Sequence, residues 1–211
     1  MKLVFAGPLA SAYYSHHPEC SLSPHDGSRP AHATIRGMPH TLITLITAEQ
    51  IRSRVSEMGR EIDSHHTHGP IYLISVLKGS FVFLADLSRA MKSSVRIEFM
   101  AISSYGKDKT TSGQVKVIKD LDVSIEGRDL LIVEDIIDSG VTLNYLMRVF
   151  QQRRPKSIRI ATLLDKPERR IQPVTVDYVG FAIPDEFVVG YGLDYAEDYR
   201  NLPDICVLSG F

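Results

Sequence analysis

From Thr47 onward the chain alternates between two apolar patterns. Ile51, Val55, Met58 and Ile62 recur at helical intervals and give one apolar face. Thr47, with Gln50 three residues on, has capping-box spacing, so a helix is predicted to open there. The continuous apolar run IYLISVL (71–77) predicts a buried strand. Lys78-Gly79 breaks it, and SFVFLADLSRAM predicts a helix packed back on a sheet. VRIEFMAIS (95–103) and VKVIKDL read as strands, and LLIV leads a third buried strand over 130–134. In VTLNYLMRVFQQ, Leu143, Leu146, Met147 and Phe150 share one helical face, and Pro155 closes that region. SIRIATLL is the next strand, with VDYVGFAI, FVVGYGL and Ile205 to Leu208 as later candidates. Strands alternating with helices predict an α/β fold, with a mostly parallel sheet covered by helices on both faces.

Two stretches lack such a pattern. Residues 1–37 are rich in Pro, Ser and His without sustained periodicity, and are expected to form an extension without regular structure. Met38 stands immediately before the ordered pattern, so residues 38–211 are expected to be the folded unit and 1–37 an appendage, either an upstream start or an artificial addition. The stretch SYGKDKTTSGQ (104–114) is polar, has two glycines, and predicts a long mobile loop.

Composition narrows the class. A chain of 211 residues with net charge −1 suits one α/β domain, and gives no sign of a basic nucleic-acid binder. No apolar stretch nears the roughly 20 residues that span a bilayer. LVFAGPLASA is a signal-peptide-like core, but it is short, contains Pro8 and follows a single Lys. Cys20 and Cys206 form no metal-spaced pair, so a reduced, cytoplasmic protein is the simpler expectation. All eight histidines lie at or before His68, which excludes a histidine-based triad or metal site in the second half. The cluster HHTH (65–68) is either a solvated helix end or a metal-binding group.

The densest chemistry is in DLLIVEDIIDSGVTL (129–143). In parallel sheets, ligands bind outside the carboxyl ends of strands. Asp138, Ser139, Gly140, Val141 and Thr142 fall there, and their amides and hydroxyls at a helix start form an anion cradle for a monophosphate. The Gly-x4-Gly-Lys-Ser/Thr loop of nucleotide hydrolases is absent. Glu134 and Asp135 cannot bind phosphate, but carboxylates accept hydrogen bonds from vicinal hydroxyls. A ribose 5-phosphate fits both ends of the segment. The competing reading is a strand end with solvated acids and Asp138 capping the helix.

LLIVEDIIDSGVT resembles the phosphoribosyl-pyrophosphate motif of type I phosphoribosyltransferases. With ISVLKGSFVFLADL, SSYG, TTSGQVK, LLDKPERR and IPDEFVVGYGLDYAEDYRNLPDI, the stretch from about Leu42 to Leu208 resembles the hypoxanthine-guanine branch of that family. The resemblance implies the type I fold with a small hood subdomain, built from the N-terminal part and the C-terminal segment. It implies transfer of 5-phosphoribosyl from phosphoribosyl pyrophosphate to N9 of a 6-oxopurine base, with release of pyrophosphate. By the same resemblance, Glu134 and Asp135 hold the ribose hydroxyls and Asp138 to Thr142 hold the 5-phosphate. Asp138 is then the general base or acid at purine N7. Val141 stands where a basic residue is common in the family.

Lys78 and Gly79 match the pyrophosphate turn, whose Leu77–Lys78 bond can be cis in relatives; otherwise Lys78 is an exposed strand end. Lys166 matches the donor to the 6-oxo group. Phe187 stacks on the base or is a core aromatic, and Val188 meets the base edge through its backbone. Asp194, with Glu134 and Asp135, would hold Mg²⁺ beside the leaving group, with Arg200 near it; otherwise Asp194 and Arg200 form a surface ion pair. Ser104 and Tyr105 match a closing lid. The resemblance further implies a homo-oligomer, a dimer or tetramer, with no nucleic-acid or membrane partner. Two readings compete with it: a phosphoribosyl-pyrophosphate-sensing regulator of RNA or DNA on the same fold, and a related transferase acting on xanthine or a pyrimidine.

Overall fold

The computed structural model describes residues 32–35, 38–66, 68–104 and 115–210. In chain order these form β1 (His32–Ile35), β2 (Met38–Ile46), α1 (Ala48–His65), β3 (Ile71–Leu77), α2 (Phe81–Ala90), β4 (Val95–Ser104) and β5 (Val115–Lys119). There follow β6 (Asp129–Ile137), α3 (Val141–Gln151), β7 (Ser157–Asp165), a 3-10 turn at Pro167–Arg169, β8 (Tyr178–Ala182), β9 (Val188–Val189) and β10 (Ile205–Ser209). Six strands make one sheet in the order β5-β4-β3-β6-β7-β8, parallel throughout except for the β4–β5 pair.

Strand alternation explains why helices cover both faces. In β3, Ile71 and Leu73 point into one apolar cluster, and Tyr72 and Ile74 into another. The first cluster receives Ile51, Val55, Met58 and Ile62 of α1 with Phe83, Leu84 and Leu87 of α2. The second receives Leu143, Leu146 and Phe150 of α3. The Thr47–Gln50 capping box is present in full.

The second sheet joins the two ends of the chain, in the order β1-β2-β10-β9, and all its pairings are antiparallel. It carries its own small core of Leu42, Val189, Tyr199, Cys206 and Leu208. This is the hood implied by the resemblance. β2 was not expected as a strand, and β1 lies inside the segment expected to lack regular structure. Such hood strands are legible only through their partner, because β2 pairs with β10 about 160 residues away. Residues 1–31 and the loop 105–114, with Tyr105, lie outside the described residues.

The third difference concerns β6. It was expected to end at Glu134 but runs to Ile137. Strict alternation would send Ile132 and Ile136 into the same cluster, yet Ile132 packs on the α3 side and Ile136 on the α1–α2 side. The strand's facing therefore shifts between Val133 and Ile136, at the two acids. Asp135 has no ladder partner in β7, whereas Glu134 and Ile136 face Thr162 and Leu164.

The helices α1 and α2 cross closely at Gly59. A Cβ there would lie 2.9 Å from both the carbonyl carbon and the oxygen of Ala90. Alanine is intrinsically the better helix former, but here it would wedge the helices apart. Gly59→Ala is expected to cost about 1–3 kcal/mol, the range of overpacked cores. Urea unfolding measures this, and a stabilised variant would show that the crossing yields at no cost.

Candidate functional site

The carboxyl ends of β3, β6, β7 and β8 carry the predicted residues, as the parallel topology requires. At the end of β3 the Leu77–Lys78 peptide is cis. The turn beyond it presses on β6: a Cβ on Gly79 would stand 1.6 Å from Asp135 Oδ2. The stack continues on the other side. Gly192, at φ +101°, is so close that a Cβ would lie 2.2 Å from the Gly79 carbonyl oxygen. The Lys78-Gly79 turn, Asp135 and the segment after β9 therefore meet through glycine.

That segment brings its charges to the same point. Arg200 donates from Nη1 to the Gly192 carbonyl at 2.8 Å, and its Nη2 lies 2.8 Å from Asp194 Oδ1. Lys78 Nζ donates to Glu197 Oε2 at 3.0 Å, and Arg200 Nη2 reaches the same oxygen at 3.4 Å. The Lys78 bond holds the Glu197 carboxyl below its usual range, Arg200 adding to the effect. Asp194 and Arg200 do pair, but the pair is partly buried and beside Asp135, so a purely surface role does not describe it. Arg200 Nε is buried without a partner among the described residues.

Glu134 and Asp135 are costly to hold ionised. Burial drives the Glu134 carboxyl well above its usual range, and neighbouring Asp135 adds to it. Burial also raises Asp135, with Asp194 adding; the Ile136 amide and Arg200 act the other way. Among the described residues no three His, Cys, Asp or Glu side chains converge as a closed metal cage. The acids nevertheless suit Mg²⁺, since they offer only oxygen donors whose mutual repulsion a cation relieves. The remaining ligands would be substrate oxygens and water.

The loop predicted to hold phosphate, from Asp138 to Gly140, follows β6 and leads into α3. Gly140, at φ +78°, is the N-cap of α3, and no side chain caps the helix. The Thr142 and Leu143 amides of the first turn are thus left for an anion or water. A cavity of about 180 Å³ lies here, lined by Glu134, Asp138, Ser139, Gly140 and Thr142. Its outer wall is pinned, because Ile171 and Gln172 both donate backbone N–H to the Ser139 carbonyl at 3.0 Å. Val141 opens α3, and its N–H reaches Ser139 Oγ at 3.4 Å. A larger cavity of about 730 Å³ lies between α1 and α2; it touches Arg200 but not the phosphate loop.

Asp138 does not cap α3. Its Oδ1 accepts from Arg169 Nε at 2.7 Å, and its carbonyl from Arg170 Nη1 at 2.8 Å. Arg169 also reaches both Asp185 oxygens, at 3.3 and 3.2 Å. Nearby, Lys166 is 8% exposed and donates from Nζ to the Glu186 carbonyl at 2.6 Å. Phe187 is 43% exposed and meets Tyr195 edge-on at 5.8 Å, so it is not a core aromatic, whereas Val188 is buried. Ser104 ends β4, before the loop outside the described residues. The histidine cluster lies apart: His65 Nδ1 is 3.2 Å from the Tyr178 hydroxyl, and His66 Nε2 is 3.1 Å from the Gly69 carbonyl.

Sequence reasoning missed Glu197, Arg169 and Asp185 as members of the site. All lie inside or beside motifs already singled out. Their signal is charge facing charge across 119, 31 and 16 positions, which no local pattern reveals.

The chain is similar to known proteins of one family. A family model described as "Phosphoribosyl transferase domain" matches residues 46–196. The chain is 54% identical over 165 residues to the hypoxanthine-guanine phosphoribosyltransferase of Bacillus subtilis, covering 78% of this chain and 92% of that protein. It is 49% identical over 170 residues to the hypoxanthine phosphoribosyltransferase of Escherichia coli, covering 80% and 96%. A crystal structure of the hypoxanthine-guanine phosphoribosyltransferase of Bacillus anthracis, with HEPES in its active site, superposes with TM-score 0.76 at 51% identity. That match covers 79% of this chain and 98% of the other.

The raised carboxyls predict a trade of stability against binding. A group whose folded pKa is raised weakens the fold as pH climbs from its unfolded value, near 4, through the folded one. Below that window both states are protonated and the penalty vanishes. Glu134→Gln and Asp135→Asn are therefore expected to raise the melting temperature at neutral pH. Relief of about 1 kcal/mol gives roughly 2–4 °C, and the gain should shrink to nothing below about pH 4. Melting curves against pH, with substrate-binding titrations alongside, measure both sides. A gain independent of pH would refute the electrostatic origin.

Proposed function

We propose a division of labour for these residues from one premise: the chain belongs to the hypoxanthine-guanine phosphoribosyltransferases, in the type I phosphoribosyltransferase family. It is a purine-salvage enzyme that transfers 5-phosphoribosyl from phosphoribosyl pyrophosphate to N9 of hypoxanthine or guanine, giving IMP or GMP and pyrophosphate. The observation that carries the residue assignment is the meeting of Gly79, Asp135, Asp194 and Arg200 beside an uncapped helix start. That arrangement suits a substrate with phosphate at one end, vicinal hydroxyls in the middle and pyrophosphate at the other.

Ser139, Gly140, Val141 and Thr142 bind the 5-phosphate through amides and hydroxyls. Glu134 and Asp135 accept from the ribose hydroxyls, and bound substrate offsets the cost of burying them. Lys78 and Arg200 take the pyrophosphate, exchanging Glu197 and Asp194 for its oxygens. As positive charge develops on the ribose, they meet the growing negative charge of the leaving group. Asp194, Glu134 and Asp135 would hold Mg²⁺, which would supply further charge neutralisation there. Asp138 takes the proton from purine N7. Phe187 stacks on the base, Val188 meets its edge, and Ser104 and Tyr105 begin the lid that excludes water.

Residues 38–211 are the catalytic unit in this reading, and 1–37 an appendage that adds β1 to the hood. No described helix is long and apolar enough to cross a membrane. The family supports a cytoplasmic homo-oligomer, a dimer or tetramer, which sedimentation of the purified chain would test.

Lys166 gives the sharpest test. One of its three donors is occupied by the Glu186 carbonyl, and the ammonium matches a 6-oxo acceptor but opposes the 6-amino group of adenine. A buried unsatisfied donor costs roughly 1–3 kcal/mol, more when charged, so kcat/KM for adenine is expected to lie about 10²-fold or further below hypoxanthine. Lys166→Gln should narrow the gap, chiefly by harming the 6-oxopurines. Wild-type use of adenine equal to hypoxanthine would remove Lys166 from the base pocket.

Asp138→Asn is expected to lower kcat by about 10²–10⁴-fold, the range for general acid–base groups. Near-normal kcat at saturating base would reduce Asp138 to a loop residue.

A further inference from the structure

Asp138 has two carboxylate oxygens, and among the described residues only Oδ1 accepts a hydrogen bond, from Arg169 Nε at 2.7 Å. The other arm of that guanidinium is held by Asp185, whose two oxygens lie 3.3 and 3.2 Å from Nη1. The backbone carrying Arg169 is registered on the strand that carries Asp138. Lys166 N donates to the Ile137 carbonyl at 3.0 Å, and Arg170 Nη1 to the Asp138 carbonyl at 2.8 Å. Asp185 precedes Glu186, whose carbonyl receives Lys166 Nζ. One planar cation therefore links the carboxylate at the phosphate loop to the loop that recognises the base.

We infer that Arg169 is a positioning residue for the transfer: anchored by Asp185, it occupies Oδ1 of Asp138 and turns Oδ2 toward N7–H of the 6-oxopurine. The inference rests on the proton-transfer assignment of Asp138 above. The proton passes from N7 to Oδ2, the N9 electron pair forms the bond to C1′, and the C1′–O electrons leave with pyrophosphate. A general base is most effective when a third group fixes its orientation. A guanidinium does this well, because its fork of donors is rigid and can engage two acceptors at once. The arrangement adds little to folding, since both ion pairs are about half exposed. Its consequence is thus kinetic, not structural.

The test is a double-mutant cycle on the full chain, with hypoxanthine and phosphoribosyl pyrophosphate as substrates. Arg169→Ala is expected to lower kcat about tenfold, equivalent to one charge-assisted hydrogen bond. KM for phosphoribosyl pyrophosphate and the melting temperature should not change. In the Asp138→Asn background the same substitution should cost nothing further, because the group it positions is gone. Arg169→Lys, which keeps the charge but not the fork, should recover part of the loss, and Asp185→Asn should reproduce a smaller one. Unchanged kcat in Arg169→Ala, or losses that multiply in the double variant, would overturn the inference. Asp138→Asn alone separates the two claims: if its kcat is near normal, the assignment of Asp138 fails whatever Arg169 does.

Discussion

Two adjacent carboxylates inside the end of a parallel strand are the constraint around which this molecule is arranged. Glu134 and Asp135 belong to β6 and lie beside a sealed sheet core, where burial opposes their ionisation. Strict alternation would carry Glu134 toward one apolar cluster and Asp135 toward the other. The strand's facing shifts instead at the acids, between Val133 and Ile136. A fold carrying such a pair sacrifices stability for a binding surface, a pattern expected where substrate completes the electrostatics.

The surrounding backbone follows from the need to approach those acids. Gly79 and Gly192 form a stack against Asp135 in which a single added methyl would collide at each level. This links a turn after β3 to a segment more than a hundred residues later, and it brings Asp194 and Arg200 to the acids. The hood sheet has the same logic. β2 and β10 join the chain ends, and β9 continues directly into the segment that carries Gly192. The small sheet thus anchors the segment that carries Gly192, Asp194 and Arg200.

Much of this was legible in the sequence, for physical reasons. The central strands and three helices have strong local periods, and the acid–loop segment has a fixed order of residue types that only a sugar-phosphate site explains well. What was not legible is non-local. β2 depends on β10 for its pairing, the continuation of β6 past Glu134 depends on β7, and the partners of Asp138 depend on a turn 31 positions away. The helix-cap reading of Asp138 failed for the same reason: local chemistry favours a cap, but a guanidinium from another loop took the oxygen. Phe187 was ambiguous because an aromatic before two valines fits a core strand as well as an exposed platform.

The described charges explain how a site for polyanions can stand without one. Lys78, Arg169 and Arg200 each face an internal carboxylate: Glu197, Asp138 with Asp185, and Asp194. The Lys78 and Arg200 pairs are exposed or partly exposed, so in the proposed complex phosphate oxygens would replace their carboxylates, while Arg169 keeps Asp138 and Asp185. The exchange also releases those acids. In the proposed complex Asp194 and Asp135 would lose the Arg200 charge beside them, and a divalent cation would replace it. The near-neutral balance of the whole chain therefore conceals a local one in which every one of these side-chain cations is already opposed by a carboxylate. Binding redistributes those partners instead of filling an unopposed positive cleft. Selectivity for the substrate must accordingly come from how many of the exchanges one molecule completes at once, which favours a ligand that spans the phosphate loop, the acids and the glycine turn together.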